Sequence, residues 1–595
     1  MEITLEVCVP GPWWHALTYR FDRPLPPGVR VKVPVGRGHR VGFVAPDGPS
    51  PPPGQGELKE IEDVLDGAPP LGEELGRLAS WIGINYLCGT PLALGRIAPG
   101  FLLRGQGAFQ EDLPVRASSG DSEDAFVFDP RDDRRWGRYR EEIGGVSGGI
   151  LALFGEQSDA ARFWDLLPDR ERGRGILWPS SGGRALQRAW EAVRSGERSL
   201  VVGGRGALFA PLRDLRLVVV DEEASGGHRF VDPPFLHART VASQRARLWR
   251  SRFLAGGRMP SARLFRMEGG RGSERPGDRL FFVDLRRTDA VAVAGVRDPL
   301  RIGAATFRET KRAVQRGMGA LWILDRKGYA SEVACAECGA PLRCPSCGGT
   351  CRWERGRYAC PFCGTPQAQD PSCSVCRGIL LQGLRPGIET LWEAASDLFR
   401  GDFPVIFWAG GKRGTLEARR ALRKSGGVVL GTRGALALCD HLSVGCVAWI
   451  DADAEARQPR YDARFVAFRM IWESLWRGGR CEDRTVVVQS RSPLRGWQES
   501  LPRGWGAFWA REMEERRLYN LPPYRPLLSL EAGLEDKEAL RKALESQGVE
   551  VLDPGLGDGM LWARPEHLGA ARRALEPFFR IRRKGPFPRI VLERE

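Results

Sequence analysis

The sequence predicts a multidomain α/β protein. Two parallel-sheet halves are expected, the second interrupted by a metal-binding insertion, with a β-rich module in front and an α+β unit behind. Three observations predict it. Short apolar runs alternate with helical patterns from Ile150 onward, and the alternation restarts after Pro299. Four C-x2-C pairs fall between Cys335 and Cys376. Residues 1–104 instead carry short apolar runs cut by Gly and Pro.

In the first module, residues 3–7 alternate like a strand, and 31–36 and 41–44 flank a Gly36-Arg37-Gly38 turn, so a hairpin is expected. A Pro/Gly-rich loop spans 48–56 and a helical pattern spans 71–86. Residues 105–147 are polar and weakly periodic and read as a linker or a much reduced module. The first α/β half, 148–295, offers strands at 150–154, 175–178, 199–202 and 217–220, with a helix at 184–194. The second half, 296–334 and 378–500, offers strands at 320–324, 405–408, 427–430, 447–450 and 485–489. Residues 335–377 form the cysteine module and 505–595 the last unit. The two halves share a phrase. Gly203-Gly204-Arg205-Gly206-Ala207-Leu208 echoes Gly431-Thr432-Arg433-Gly434-Ala435-Leu436, each after an expected strand.

The chain has 595 residues, 42% hydrophobic and 27% charged, which is a globular composition. No apolar run reaches the ~18 residues of a membrane helix, and the N-terminus lacks a secretory pattern. A cytoplasmic protein is expected, with no membrane partner. The net charge of +15 fits either a solvated surface or a polyanion partner. Only nine basic residues are Lys, and none lies between Lys59 and Lys311.

The pairs Cys335/Cys338, Cys344/Cys347, Cys360/Cys363 and Cys373/Cys376 make two four-cysteine sites. A C-x2-C turn brings two thiolates to one tetrahedral ion, and two such turns close the site. Gly339, Gly348 and Gly364 follow three of the pairs and permit the turn that aims backbone N–H groups at sulfur. Two structural Zn²⁺ ions are expected, with Cys351 a spare thiol. Trp353, Tyr358 and Phe362 are expected to fill the module's small core rather than stack on bases.

Residues 217–223 form an apolar strand ending in Asp221-Glu222-Glu223. In a nucleotide-driven motor such acids hold Mg²⁺ and position the attacking water. A motor also needs a Gly-rich phosphate cradle with a Lys. The expected place, 150–160, has one Gly, no Lys, and Glu156 and Asp159 where phosphates would sit. Arg162 is not an equivalent replacement, because a planar guanidinium does not act as a compact ammonium. Normal use of ATP and Mg²⁺ is therefore not expected, and no catalytic residue is assigned.

Together these features resemble the primosomal protein N′ (PriA) replication-restart family, in a helicase-deficient branch. The similarity runs in order through Arg30-Val31-Lys32-Val33-Pro34-Val35-Gly36-Arg37, residues 206–211, Asp221-Glu222-Glu223, His237-Ala238-Arg239, residues 325–330, the eight cysteines, residues 387–389, Gly431-Thr432-Arg433, Asp451-Ala452-Asp453 and Leu521-Pro522-Pro523-Tyr524. The resemblance implies two RecA-like helicase lobes and a domain that binds a 3′ DNA end, with Gly36 and Arg37 as contacts. It also implies a C-terminal DNA-binding domain, whose basic run Arg580-Ile581-Arg582-Arg583-Lys584 reads either as DNA contacts at Arg582, Arg583 and Lys584 or as a solvated edge. A winged helix would stand at 105–147, reduced here. The outer cysteine pairs would share one zinc and the inner pairs the other. Asp221, Glu222 and Arg480 would be vestigial motor residues, Arg480 in Trp476-Arg477-Gly478-Gly479-Arg480 where the family has Gly-Arg-Ala-Gly-Arg. The implied partners are fork or single-stranded DNA, primosome and replication-restart proteins, and single-strand binding protein. The implied location is the bacterial nucleoid. Three readings stay open at the level of sequence: a fork-binding restart protein without ATP-driven unwinding, an active ATP-dependent 3′-5′ DNA helicase, and a zinc-stabilised interaction scaffold.

Overall fold

The computed structural model describes residues 3–46, 58–111, 124–268, 275–287, 290–294, 300–325, 333–345, 350–354, 357–360, 366, 371–383, 386–422, 426–458, 460–479, 481–553, 559–581 and 586–594. The chain divides into two compact units. One comprises 1–128, 134–267 and 516–595, the other 129–133 and 268–515.

The first unit opens with a five-stranded antiparallel sheet in the order Leu17–Phe21, Ile3–Cys8, Gly38–Val44, Arg30–Val35, Asp63–Val64. Val31 and Val33 are buried with Val7, Trp13 and Tyr19, while Lys32 between them is exposed, as period-two alternation requires. The expected hairpin is present, with Val35 opposite Gly38 and Gly36 at φ 62°, a left-handed position that glycine adopts without a Cβ clash. Arg30 is fully buried yet saturated. It pairs with Asp66 at 2.7 Å and donates to the carbonyls of Leu102 at 2.9 Å and Gly107 at 2.6 Å. That network ties the sheet to the chain following helices Gly72–Asn85 and Gly89–Ile97.

A six-stranded parallel sheet follows in the same unit. Its order is Ala125–Phe128, Arg252–Gly257, Leu215–Val220, Gly149–Leu153, Leu200–Gly203, Gly175–Leu177. The four expected strands are all here; the three inner ones are near-continuous apolar runs buried on both faces, while Gly175–Leu177 at the edge is partly buried. The second unit contains another six-stranded sheet, ordered Leu280–Asp284, Thr485–Ser490, Val444–Trp449, Gly319–Ile323, Gly427–Gly431, Val405–Phe407. Numbered from the first central strand, both sheets read 5-4-1-3-2, with one earlier strand added beside strand 5. The two lobes therefore share one topology, and it is RecA-like. The shared six-residue phrase follows strand 3 in each, where both copies turn into 3-10 helices, Arg205–Phe209 and Arg433–Asp440.

The structure departs from the sequence reading at both lobe starts. Within 105–147, read as a linker or reduced winged helix, Ala125–Phe128 forms the edge strand of the first lobe and Asp132–Gly144 a helix. Trp136, Tyr139 and Ile143 occupy one helical face and are buried in the lobe's core, although the charged residues between them mask the period. Likewise Leu280–Asp284, placed by sequence in the first half, pairs in parallel with Thr485–Ser490 in the second unit.

The C-terminal part of the first unit is a four-stranded antiparallel sheet, ordered Glu550–Leu552, Met560–Arg564, Leu527–Glu531, Arg589–Glu593, covered by helices Leu534–Ser546 and Leu568–Leu575. It joins the N-terminal module through Trp14, stacked on Phe579 at 4.6 Å. Among the described residues no helix is long and apolar enough to cross a membrane.

Candidate functional site

In the first lobe the acids Asp221-Glu222-Glu223 leave the end of strand Leu215–Val220 beside the turn after strand Gly149–Leu153. This is where a RecA-like lobe presents its metal acids and its phosphate loop. Here both features are occupied from within.

Arg135, on helix Asp132–Gly144, donates from Nε to Asp221 Oδ1 at 2.6 Å and from Nη2 to Glu222 Oε1 at 3.1 Å. Trp136 Nε1 donates to Asp221 Oδ2 at 3.0 Å, and the Tyr139 hydroxyl to Oδ1 at 3.1 Å. Arg135, Trp136, Tyr139 and Asp221 are each 2% exposed or less, so no water competes for these bonds. Glu222 sits at φ 49° and also accepts from Arg258 Nη1 at 2.8 Å. A left-handed φ in a non-glycine residue costs about 1–3 kcal/mol, which the two guanidinium contacts offset. Glu223 is buried, accepts from the Ser261 backbone N–H at 2.5 Å, and lies 3.3 Å from Arg239. Burial, opposed by Arg239, raises its pKa. The charges of Asp221 and Glu222 are thus balanced by Arg135 and Arg258, with aromatic donors filling the remaining lone pairs. A divalent cation would have to displace a buried guanidinium to reach them.

The neighbouring turn is closed as well. A Cβ on Gly155 would meet Ser225 Cβ at 2.9 Å, and one on Gly227 would lie 1.8 Å from Gly155 O. The segment after the acids therefore packs onto the glycine that would open a cradle. Helix Gln157–Asp165 follows, with Asp159 buried in its first turn and paired to Arg162 at 3.1 Å. Arg162 also lies 4.9 Å over the Trp136 ring, bracing the aromatic that holds Asp221. His228 completes the packing, with Nε2 2.8 Å from Asp221 O. Burial holds its ring neutral, with the pKa pushed down to about 4.

In the second lobe Asp451-Ala452-Asp453 follows strand 4, the position equivalent to Asp221-Glu222-Glu223. Asp453 accepts from Ser490 Oγ at 2.8 Å, Arg491 N at 2.9 Å and Gln498 Nε2 at 2.9 Å. Arg477 is buried and bound to Asp440 at 2.7 Å and Glu473 at 2.6 Å, so it supports its own lobe. Arg480 lies outside the described residues.

The cysteine module supplies a candidate metal centre. The Sγ atoms of Cys335, Cys338, Cys373 and Cys376 all lie within 4.8 Å of one another, with Cys335–Cys376 at 3.5 Å and Cys338–Cys373 at 3.6 Å. A tetrahedral zinc with Zn–S bonds of about 2.3 Å needs S···S edges of about 3.8 Å, so the cluster fits that ion. Strands Val333–Cys335 and Leu381–Gly383 pair antiparallel and bring the two turns together. The Val375 and Gly378 backbone N–H groups each donate to sulfur at 3.4 Å. Backbone N–H groups of Cys376 and Val375 lower the Cys373 thiol pKa to about 7, while at Cys376 the Gly378 N–H lowers the pKa but the neighbouring thiols of Cys335 and Cys338 outweigh it and push it up to about 12. Of the inner pairs, Cys344 and Cys360 are described and buried together with Cys351. Cys347 and Cys363 lie outside the described residues. Trp353 and Tyr358 meet edge to face at 4.3 Å and pack on this cluster, so these two fill the small core, as expected.

Of the other expected contacts, Gly36 and Arg37 are exposed at the tip of the N-terminal hairpin, where Lys59 Nζ donates to Gly36 O at 3.1 Å. Arg582, Arg583 and Lys584 lie outside the described residues. Sequence reasoning missed Arg135, Tyr139 and Arg258. The signal for the first two was the Trp136, Tyr139, Ile143 spacing; nothing in the sequence marks Arg258.

Residues 6–99 match the family model of a 3′ DNA-binding domain. The replication restart protein PriA of Treponema pallidum is 25% identical over 540 residues, 84% of this chain and 81% of that protein. PriA of Synechocystis is 25% identical over 403 residues and PriA of Bacillus subtilis 24% over 351, but the matched stretches span only 48% and 43% of those proteins. Among solved structures, a DEAD box protein from Methanococcus jannaschii aligns at 10% identity, covering 67% of this chain and 87% of that one, with a TM-score of 0.29.

Proposed function

We propose, from the premise that this chain is a relative of the PriA replication restart proteins, that it binds fork DNA or DNA with a free 3′ end and helps assemble the restart machinery without ATP-driven unwinding. The observation that carries the reading is the inward-turned acid cluster. Asp221 and Glu222, which in a motor would hold Mg²⁺, are neutralised by Arg135 and Arg258. The lobes then act as a scaffold that holds the DNA-binding modules. The match of residues 6–99 to a 3′ DNA-binding domain supports the DNA role, and so does the net charge of +15.

Two structural zinc ions belong to this reading. Cys335, Cys338, Cys373 and Cys376 would hold one, and Cys344, Cys347, Cys360 and Cys363 the other. All-cysteine sites leave no open position, so the metal fixes the module's shape and takes no part in chemistry. Beside the outer site Val375, Ile379 and Leu380 are all exposed. Such side chains on a rigid zinc turn favour contact with partner proteins, primosome subunits or single-strand binding protein among them.

Fork-DNA affinity, measured by fluorescence anisotropy across a salt series, tests the reading. Phosphate contacts release counterions, so affinity is expected to fall at least about tenfold between 50 and 200 mM salt, with a 3′-hydroxyl end preferred over a blocked one. Absence of affinity at low salt would refute the DNA role and leave the zinc-stabilised scaffold.

A further inference from the structure

We propose a second nucleic-acid site on the N-terminal module, resting on the DNA-binding reading: a cationic groove that seats one nucleotide of a single strand. The groove has a volume of about 580 Å³, within the ~300–1,000 Å³ of small-ligand sites. Lys32, His39, Arg40 and Arg104 supply the polar lining, and Val41, Leu65 and Leu103 the apolar part. Among the described residues no carboxylate lines it.

The sheet register explains the arrangement. Lys32 lies opposite Val41, and Pro34 opposite His39, so Lys32, His39 and Val41 share the face turned away from the Val31/Val33 core. Leu103 and Arg104 end the short helix Gly100–Leu103, which the buried Arg30–Asp66 network fixes against the sheet. Arg40, opposite Val33 and so on the other face, reaches the groove at its edge and is pre-positioned there. Its guanidinium lies 5.6 Å over the Trp13 ring and donates to the carbonyl of Pro10, another lining residue, at 3.5 Å. Arg104 is exposed and has no carboxylate partner among the described residues. Glu62 stands behind the groove, 3.7 Å from Lys32 and paired with His39. It tempers the Lys32 charge but not Arg40 or Arg104.

A rim of cations over an apolar floor suits a nucleotide, with phosphate on the two guanidinium groups and sugar or base on Val41, Leu65 and Leu103. The site is distinct from the hairpin tip. Lys32 lies four residues before Gly36, about 13 Å along the strand. A strand engaged at the tip can therefore run back along the hairpin into the groove.

The test uses the full chain and a ten-residue oligo-dT. Arg104→Glu is the cleaner variant, because Arg104 braces nothing described; Arg40→Glu, which also loses the Trp13 contact, is judged only if its melting temperature matches the wild type. Arg104→Glu is expected to weaken binding about tenfold and to reduce the salt slope by about one. Bound oligo-dT should also protect Lys32, one of nine lysines, from acetylation at least about fivefold relative to Lys542. Wild-type binding that is unchanged in Arg104→Glu, or leaves Lys32 unprotected, overturns the groove while sparing the DNA-binding reading. A wild type that binds no oligo-dT at all overturns both. Equal displacement by a ten-residue poly-glutamate would show a general anion site and overturn the nucleotide assignment.

Discussion

Arg135→Met is expected to destabilise the first lobe by about 3–5 kcal/mol, because it leaves Asp221 as a buried charge without its cation. Met keeps most of the length and volume of the Arg stem, so the loss is electrostatic rather than a cavity. In a lobe of this size the melting temperature should fall by about 10 °C. Arg135→Lys keeps the charge but cannot fork between Asp221 and Glu222, and should lie between. The distinguishing variant is the double one. Asp221→Asn in the Arg135→Met background removes the orphaned charge; its one amide oxygen can still accept from Trp136 while its NH2 donates to the Tyr139 hydroxyl, so it should recover most of the loss. The two substitutions should therefore show at least about 2 kcal/mol of coupling in a double-mutant cycle. Additive effects would mean that Arg135 and Asp221 stabilise the lobe independently.

Removing the metal should have the other large effect. Structural zinc contributes about 10–16 kcal/mol to folding its site, more than two short hairpins can replace. The pure chain should carry about two zinc ions per molecule, read by metal analysis. Cys338→Ser should lose one of them and expose the segment around 333–383 to protease, while the lobe cores resist. Because the outer site's sulfurs already stand within 4.8 Å, zinc should bind without large rearrangement there. Protein purified under reducing conditions that holds no zinc, with 333–383 still protease-resistant, would contradict the two-zinc module.

The parts of the fold that were legible in the sequence are those where one physical signal dominates. Buried parallel strands such as Leu215–Val220 and Thr485–Ser490 are apolar on both faces and stand out as unbroken runs. Cysteine spacing marked the four C-x2-C pairs, and the family resemblance implied the outer grouping, whose four sulfurs the fold brings within 4.8 Å of one another. Less legible were elements whose core face is narrow. Helix Asp132–Gly144 buries Trp136, Tyr139 and Ile143 between Arg, Asp and Glu residues, so its average polarity resembles a linker. Leu280–Asp284 is only partly buried at a sheet edge, and its partner strand is some two hundred residues away. The acid cluster was half legible. The missing Lys and the single glycine of 150–160 set that turn apart from a Gly-rich phosphate cradle. That Arg135 and Arg258 had turned the acids inward depends on tertiary contacts 86 and 36 residues apart in sequence, which no local pattern encodes.

DNA-stimulated ATP hydrolysis by the pure, zinc-loaded chain measures most directly whether Asp221 still serves a nucleotide. The expected result is no turnover above the blank with single-stranded or fork DNA. That is at least about a hundredfold below the ~10 s⁻¹ median of ordinary enzymes, and Asp221→Asn should leave it unchanged. Clear DNA-dependent turnover that disappears in Asp221→Asn would contradict it, since Asp221 would then have left Arg135 to hold a metal.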